Sequence, residues 1–269
     1  MNPWNTYQSR MEAHGSTQRA AAYNREVHFI ETKLPNNLSY KAVNIYPNEY
    51  ECNINSEESA QHMLSQEVAI DNTDNLNEKT IYSMPNEDLQ LGSLVYWMNS
   101  YWLITERDAN TTLYTKAKLI QCNHLLKWIS PDKDHKIMEQ WCIVEDGTKY
   151  LTGEMEDRQF ANTRGDSRTA MQIAKNKYTS QFTRESRFLI DDDDTPHKMA
   201  FLLTKPFRRG AIYNGEGIFK FVLQEVTATD YDNHELGIAD YYKYFQRNSI
   251  EDIDTDKDIS EDKKRKVWL

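Results

Sequence analysis

Two dense apolar runs stand three residues apart in this chain, and that spacing narrows the folds open to it. Gly92 to Trp97 reads Gly-Ser-Leu-Val-Tyr-Trp, Met98-Asn99-Ser100 interrupts, and Tyr101 to Glu106 reads Tyr-Trp-Leu-Ile-Thr-Glu. A third run, Tyr114 to Asn123, follows a polar turn at 108–112, and Leu126 to Trp128 comes close behind. Closely spaced runs rich in β-branched and aromatic residues fit an antiparallel meander. Trp97 and Trp102 flank the turn and are expected to pack across the hairpin. Were they exposed, they and their neighbours Tyr101 and Trp128 would be interface anchors, the role tryptophan favours at hot spots.

The rest of the chain supports a mainly β reading. Candidate strands recur at 42–46, 137–144, 150–152, 169–174, 180–183, 187–190, 197–204 and 217–227, with turn signals between them. Such spacing belongs to sandwiches and barrels, and no βαβ alternation suggests a nucleotide-binding sheet. Helical character is confined to the start. Ser16 is placed to cap a helix through Lys33, with Ala20, Tyr23, Val27 and Ile30 on one stripe and Leu34-Pro35 ending it. That helix either plugs the β-domain or docks on a neighbouring subunit. Residues 57–66 read as a short helix or an inserted loop. The expected organisation is an N-terminal helical segment at 1–35, a small β-barrel at 36–135, a second β-barrel or sandwich at 136–245, and a disordered charged tail at 246–269.

Composition sets limits on function. Of 269 residues, 42 are acidic and 32 basic, for a net charge of −10, which disfavours sequence-independent gripping of nucleic acid. An acidic wall could instead keep DNA sliding without sticking. No run has the ~18 apolar residues of a membrane helix, and Met1 to Arg10 lacks the core of a signal peptide. No membrane association is expected, and the chain is expected to remain in the cytoplasm where it is made. Cys52, Cys122 and Cys142 are an odd number without paired spacing, so free buried thiols are expected rather than disulfides or zinc ligands.

Several local patterns invite a chemical reading and resist it. Asp191 to Asp194 could gather a hard cation, but four acids before Thr195-Pro196 read more simply as a solvated hairpin loop. The alternating acids at Asp252, Asp254, Asp256 and Asp258 resemble a calcium loop, yet Lys257 and Lys263 occupy the positions of its glycine and bidentate glutamate. Arg164-Gly165-Asp166 reads as a turn, and Lys263 to Lys266 as a tail neutralised by the acids before it. Nucleophile elbows, phosphate loops and paired-histidine metal motifs are missing, and the seven histidines are scattered. No enzyme activity, cofactor or metal is expected. An OB-like nucleic-acid module using the aromatic strands and a hydrolase with a dispersed site stay as alternatives.

Four stretches resemble a family of structural proteins of tailed bacteriophages that infect Gram-positive hosts. They are Ser83 to Asp88, Gly92 to Trp97, Trp102 to Glu106 and Gln121 to Trp128. Glu139 to Val144, Thr229 to His234, Ile238 to Tyr241, Trp4 to Tyr7 and Gly15 to Thr17 are similar as well. The likeness spans most of residues 1–245. It departs at 56–70, which looks inserted, at Asn86, where the family pattern has glycine, and in the acidic tail. The resemblance implies a virion component at the head–tail junction, a neck or head-closure subunit forming a homo-oligomeric ring below the portal. Its implied partners are portal or adaptor proteins, tail proteins, and double-stranded DNA passing through without sequence-specific contact. Asp191, Asp192, Asp193 and Asp194 would then face the channel. A capsid-surface or tail-tip protein is the alternative within the same class.

Overall fold

A computed structural model of the chain describes residues 3–15, 17–108, 113–146, 168–190, 198–207, 212–213 and 215–245. Two helices open it, α1 (Pro3–His14) and α2 (Gln18–Lys33), followed by a 3₁₀ turn at Leu34–Asn36. The capping residue of α2 is Thr17, whose Oγ1 accepts from the Ala20 amide at 3.1 Å. The expected cap was its neighbour Ser16; both are good capping types, and the register falls one residue later.

Six strands then close a barrel: β1 (Tyr40–Tyr46), β2 (Leu64–Asn72), β3 (Glu78–Ser83), β4 (Leu94–Trp97), β5 (Ser100–Asp108) and β6 (Lys116–Gln121), in the order β1-β2-β3-β6-β5-β4. β1 pairs antiparallel with both β2 and β4, which seals the ring and leaves no free edge. The β4–β5 hairpin turns on Met98 and Asn99 alone, at φ 48° and 57°, the left-handed pair that two-residue hairpins of right-handed twist require. Between β1 and β2 lies a short helix, α3 (Glu57–His62), capped by the Ser56 hydroxyl. The segment taken as inserted is therefore half helix and half barrel strand. Strand β2 escaped notice because only Val68, Ala69 and Ile70 of its nine residues are buried.

The second sheet has seven strands: β7 (His124–Ile129), β8 (Ile137–Asp146), β9 (Arg168–Ala174), β10 (Arg187–Ile190), β11 (Met199–Phe207), β12 (Ile212–Tyr213) and β13 (Glu216–Val226). Its order is β10-β11-β13-β9-β8-β7, with β12 beside β13. The end strands β10 and β7 approach each other, giving a barrel-like wrap. Two expectations change here. His124–Ile129, placed with the first barrel, is hydrogen-bonded along its length to β8, so the first barrel ends at Gln121. Residues 180–183 are not a strand: Thr179–Gln181 is a 3₁₀ turn whose Thr179 amide donates to Asn176 Oδ1. A last short helix, α4 (Tyr241–Tyr244), follows a loop bridged between Asn233 and Ile238.

The dense runs at 92–106 now have a physical reason. Val95, Trp102 and Ile104 point into the first barrel with Val43, Val68, Ile81 and Leu119. Leu94 and Leu103 alternate outward and would meet water in a lone barrel, but they join Tyr46, Cys122, Ile143, Ala174 and Ile218 in an apolar seam between the two sheets. Strands buried on both faces read as continuous apolar runs. Across that seam Tyr101 stacks on Trp141, with ring centres 4.9 Å apart. A separate core fills the second sheet, built from Leu126, Trp128, Met171, Phe188, Phe219 and Phe221.

The helices contrast with this packing. α2 has no buried residue, and every described side chain of α1 is exposed. They form an arm set apart from the core rather than a plug in either sheet.

Candidate functional site

The seam between the sheets is where polar groups converge. Residues 47–56 leave β1 and lie along β8: the Asn53 amide donates to the Glu139 carbonyl at 2.8 Å, and Asn53 Oδ1 accepts from the Glu139 amide at 2.9 Å. The buried Ser59 hydroxyl of α3 holds this segment from the other side through the Tyr50 carbonyl at 2.8 Å. Glu51 and Cys52 are thereby fixed in the interior, Glu51 with no exposure at all.

A chain of side chains runs from there. Gln140 Nε2 donates to Glu51 Oε2 at 3.0 Å, and Gln140 Oε1 accepts from Asn176 Nδ2 at 2.8 Å and from the Cys52 thiol at 3.2 Å. Asn176 Oδ1 in turn accepts from the Thr179 amide at 2.9 Å, fixing the turn after β9. The network thus ties the loop after β1 to β8 and to the β9–β10 connection. Burial pushes the Glu51 carboxyl well above its ordinary range, against the opposing hydrogen bonds from Leu94 and Gln140. Burial likewise raises the Cys52 thiol to about 12, with the nearby Glu51 adding to it, and Cys142 to about 12. Cys122 is also raised, by burial first. All three are free thiols, as the sequence suggested, and none is a thiolate at neutral pH.

Outside this network lies an open cleft of about 780 Å³, lined among others by Asn48, Tyr50, Glu58, Lys175, Tyr178 and Glu216. Its Asn48 leads to a tight contact between the first barrel and the second sheet. Gly92, at φ 90°, faces Gly217 of β13 so tightly that a Cβ on it would stand 2.4 Å from the Gly217 carbonyl oxygen. Asn48 bridges the same point, donating to the Leu91 carbonyl at 2.8 Å and accepting from the Ser93 hydroxyl at 3.2 Å.

A second polar node latches the last described segment onto β10. Arg187 reaches Asp232 at 2.8 Å and Asp240 at 2.7 Å, and Asp232 also accepts from the Thr229 and Asp240 amides at 2.7 and 2.8 Å. Burial alone would raise the Asp232 carboxyl, but the amides and the guanidinium outweigh it and hold it below its usual range. The Asp232 side chain is wholly buried, so Arg187→Met is expected to cost about 3 kcal/mol by stranding it. Thermal unfolding at pH 7 measures this. Because the Asp232 pKa is depressed on folding, its contribution is complete above the unfolded value and fades as pH falls through the folded one. The variant's deficit therefore shrinks in acid.

Comparison of the chain with protein families, with curated proteins and with solved structures finds no match. The site is read from its geometry alone.

The expected interface residues separate. Trp102 and Trp128 are each 5 % exposed and belong to the two cores, so neither is a surface anchor, and neither offers a face on which a base could stack. Tyr101 serves the seam within the chain. Trp97 is half-buried, 5.9 Å from Trp102 across the hairpin. Trp102 is buried by the interior of its own barrel and Trp128 by the core of the second sheet, while Tyr101 is covered where the two sheets meet. Asp191 to Asp194, Arg164 to Asp166 and the tail from 246 lie outside the described residues. Glu51, Gln140, Asn176 and Arg187 were missed. Arg187 had a signal, since an arginine opening the apolar strand Phe188 to Ile190 needs an acid, and Thr229 to His234 supplies one.

Proposed function

We propose that this chain is a subunit of the head–tail connector of a tailed bacteriophage, a neck protein that extends or closes the DNA channel below the portal and docks the tail. The observation that carries the reading is a division of labour within the chain. Two β-sheets are fused through a shared apolar seam and a buried polar network, while a helical arm of 28 helical residues displays its aromatics and buries none. A stiff body with its contact element held out suits a subunit that works by bearing load and joining neighbours. Of the stretches that resemble phage neck proteins, Trp4 to Tyr7 lies on the arm, and most of the others fall on the hairpin, the seam and the Arg187 latch of the body. The net charge of −10 suits a surface past which DNA slides. Its partners would be copies of itself in a ring, the portal or adaptor above and tail proteins below. The role is mechanical and non-enzymatic, and the chain is made in the host cytoplasm and carried in the virion.

Quantitative mass spectrometry of purified particles of the phage encoding this chain tests the proposal. The chain is expected in a fixed ratio to the portal protein. Its absence from particles, with the chain abundant in infected cells, overturns the reading.

A further inference from the structure

Three of the most exposed apolar side chains in the body stand at one end of the first barrel. Leu38, Leu76 and Met98 are 92 %, 87 % and 76 % exposed. Leu38 precedes β1, Leu76 lies in the β2–β3 turn and Met98 in the β4–β5 turn. The registers place all three at the same end: Tyr40 pairs with Ala69, Asn72 with Lys79, and Trp97 with Ser100. Since β1 lies between β2 and β4, the three follow one another around the rim. Hairpin tips are ordinarily polar, with Gly, Asn and Asp supplying the turn chemistry. A leucine and a methionine at two adjacent tips, beside a leucine at the entry to β1, form an apolar rim that folding of the chain does not require.

The arm carries the complementary face. Trp4, Tyr7 and Met11 fall at i, i+3 and i+7 on α1, one side of a helix, and are 63 %, 54 % and 37 % exposed, with the Trp4 and Tyr7 rings stacked at 5.7 Å. Anchors at this spacing are how a helix lies in an apolar groove. Helices of 12 and 16 residues gain little from their own hydrogen bonds in water, so packing must supply the rest. Charge points to the same partner. Residues 1–35 hold four Lys or Arg and three Asp or Glu, leaving 28 and 39 in the remainder, so a slightly basic arm meets a strongly acidic body. At the rim itself Asp71 and Asp74 flank Leu76, both exposed.

We infer that the Trp4–Tyr7–Met11 face of one copy docks on the Leu38–Leu76–Met98 rim of a second copy. The contact joins unlike surfaces, so it runs head to tail and closes into a ring when the rotation per step permits. It supplies the lateral bond that the connector reading calls for and rests on that reading for ring closure alone.

The test uses purified full-length protein with a photo-crosslinking amino acid at position 7, mixed from isotopically light and heavy preparations. Irradiation is expected to give light–heavy adducts joining the residue 7 peptide to peptides that hold Leu76 or Met98. Leu76→Asp with Met98→Asp, substitutions at solvent-exposed tips that leave the barrel interior intact, should cut that yield about tenfold, as loss of interface anchors does. Circular dichroism on the same sample verifies that the double variant is folded. Adducts confined to one isotope, mixed adducts away from the rim, or no adducts at all each overturn the inference. Mixed rim adducts from a chain absent from virions would uphold it and sink the connector reading instead.

Discussion

Gly92→Ala is expected to destabilise the protein by about 4 kcal/mol, a left-handed backbone penalty added to a collision between the two sheets. Gly92 sits at φ 90°, and the new Cβ would lie 2.4 Å from the Gly217 carbonyl oxygen and 2.9 Å from Asn48 Nδ2. The carbonyl cannot yield cheaply, because it accepts the Lys175 amide at 2.9 Å and belongs to β13 in the middle of the second sheet. Gly215 is the control: it has the same φ of 90° but open space where its Cβ would stand. Gly215→Ala should cost only the backbone part, about 1–2 kcal/mol. Urea unfolding of both variants separates strain from collision. Equal losses would mean that the sheets do not bear on each other at Gly92.

The second large effect is a dependence on pH. Burial raises the Glu51 carboxyl, so its folded pKa lies well above the value in the unfolded chain. The native state then holds a proton that the unfolded state releases. Stability from this group is complete below the unfolded pKa and is lost as pH rises toward the folded one. Glu51→Gln is the matched probe. The glutamine amide has the shape of a protonated carboxyl, its oxygen can accept from Gln140 and Leu94 as Glu51 does, and it stays uncharged at every pH. The gap between variant and parent should therefore widen in favour of glutamine as pH rises above the unfolded carboxylate range toward the raised folded pKa. Parallel pH profiles would mean that the carboxyl is ionised in the fold and that the network is read wrongly.

How far the sequence alone reaches is visible residue by residue. The hairpin at 98–100 was legible because so short a break between two apolar runs demands a tight turn; only its length changed, since Ser100 belongs to β5. The mainly β character, the strands at 42–46, 137–144, 169–174, 187–190 and 217–227, and the burial of all three cysteines were legible for similar local reasons. Asn86 adopts φ 67°, which asparagine tolerates better than most residues.

What escaped notice is non-local. Nothing near Leu94 or Leu103 says that their outward faces meet a second sheet, so Tyr101 could be mistaken for a surface anchor. Glu51 and Gln140 are ordinary polar letters 89 residues apart, and only the fold brings them together. The membership of β7 was hidden for the same reason, since pairing with β8 across the break at 130–136 is a choice of partner that its own residues do not announce. The exposed arm is the converse case. Its apolar stripe was plain in the sequence, but whether that stripe was buried could be learned only from the structure.

The central claim is a position in a particle, and gold-labelled antibody against this chain, imaged by electron microscopy on purified phage, tests it most directly. The account predicts label confined to the junction of head and tail. Label spread over the shell, or gathered at the tail tip, would contradict it.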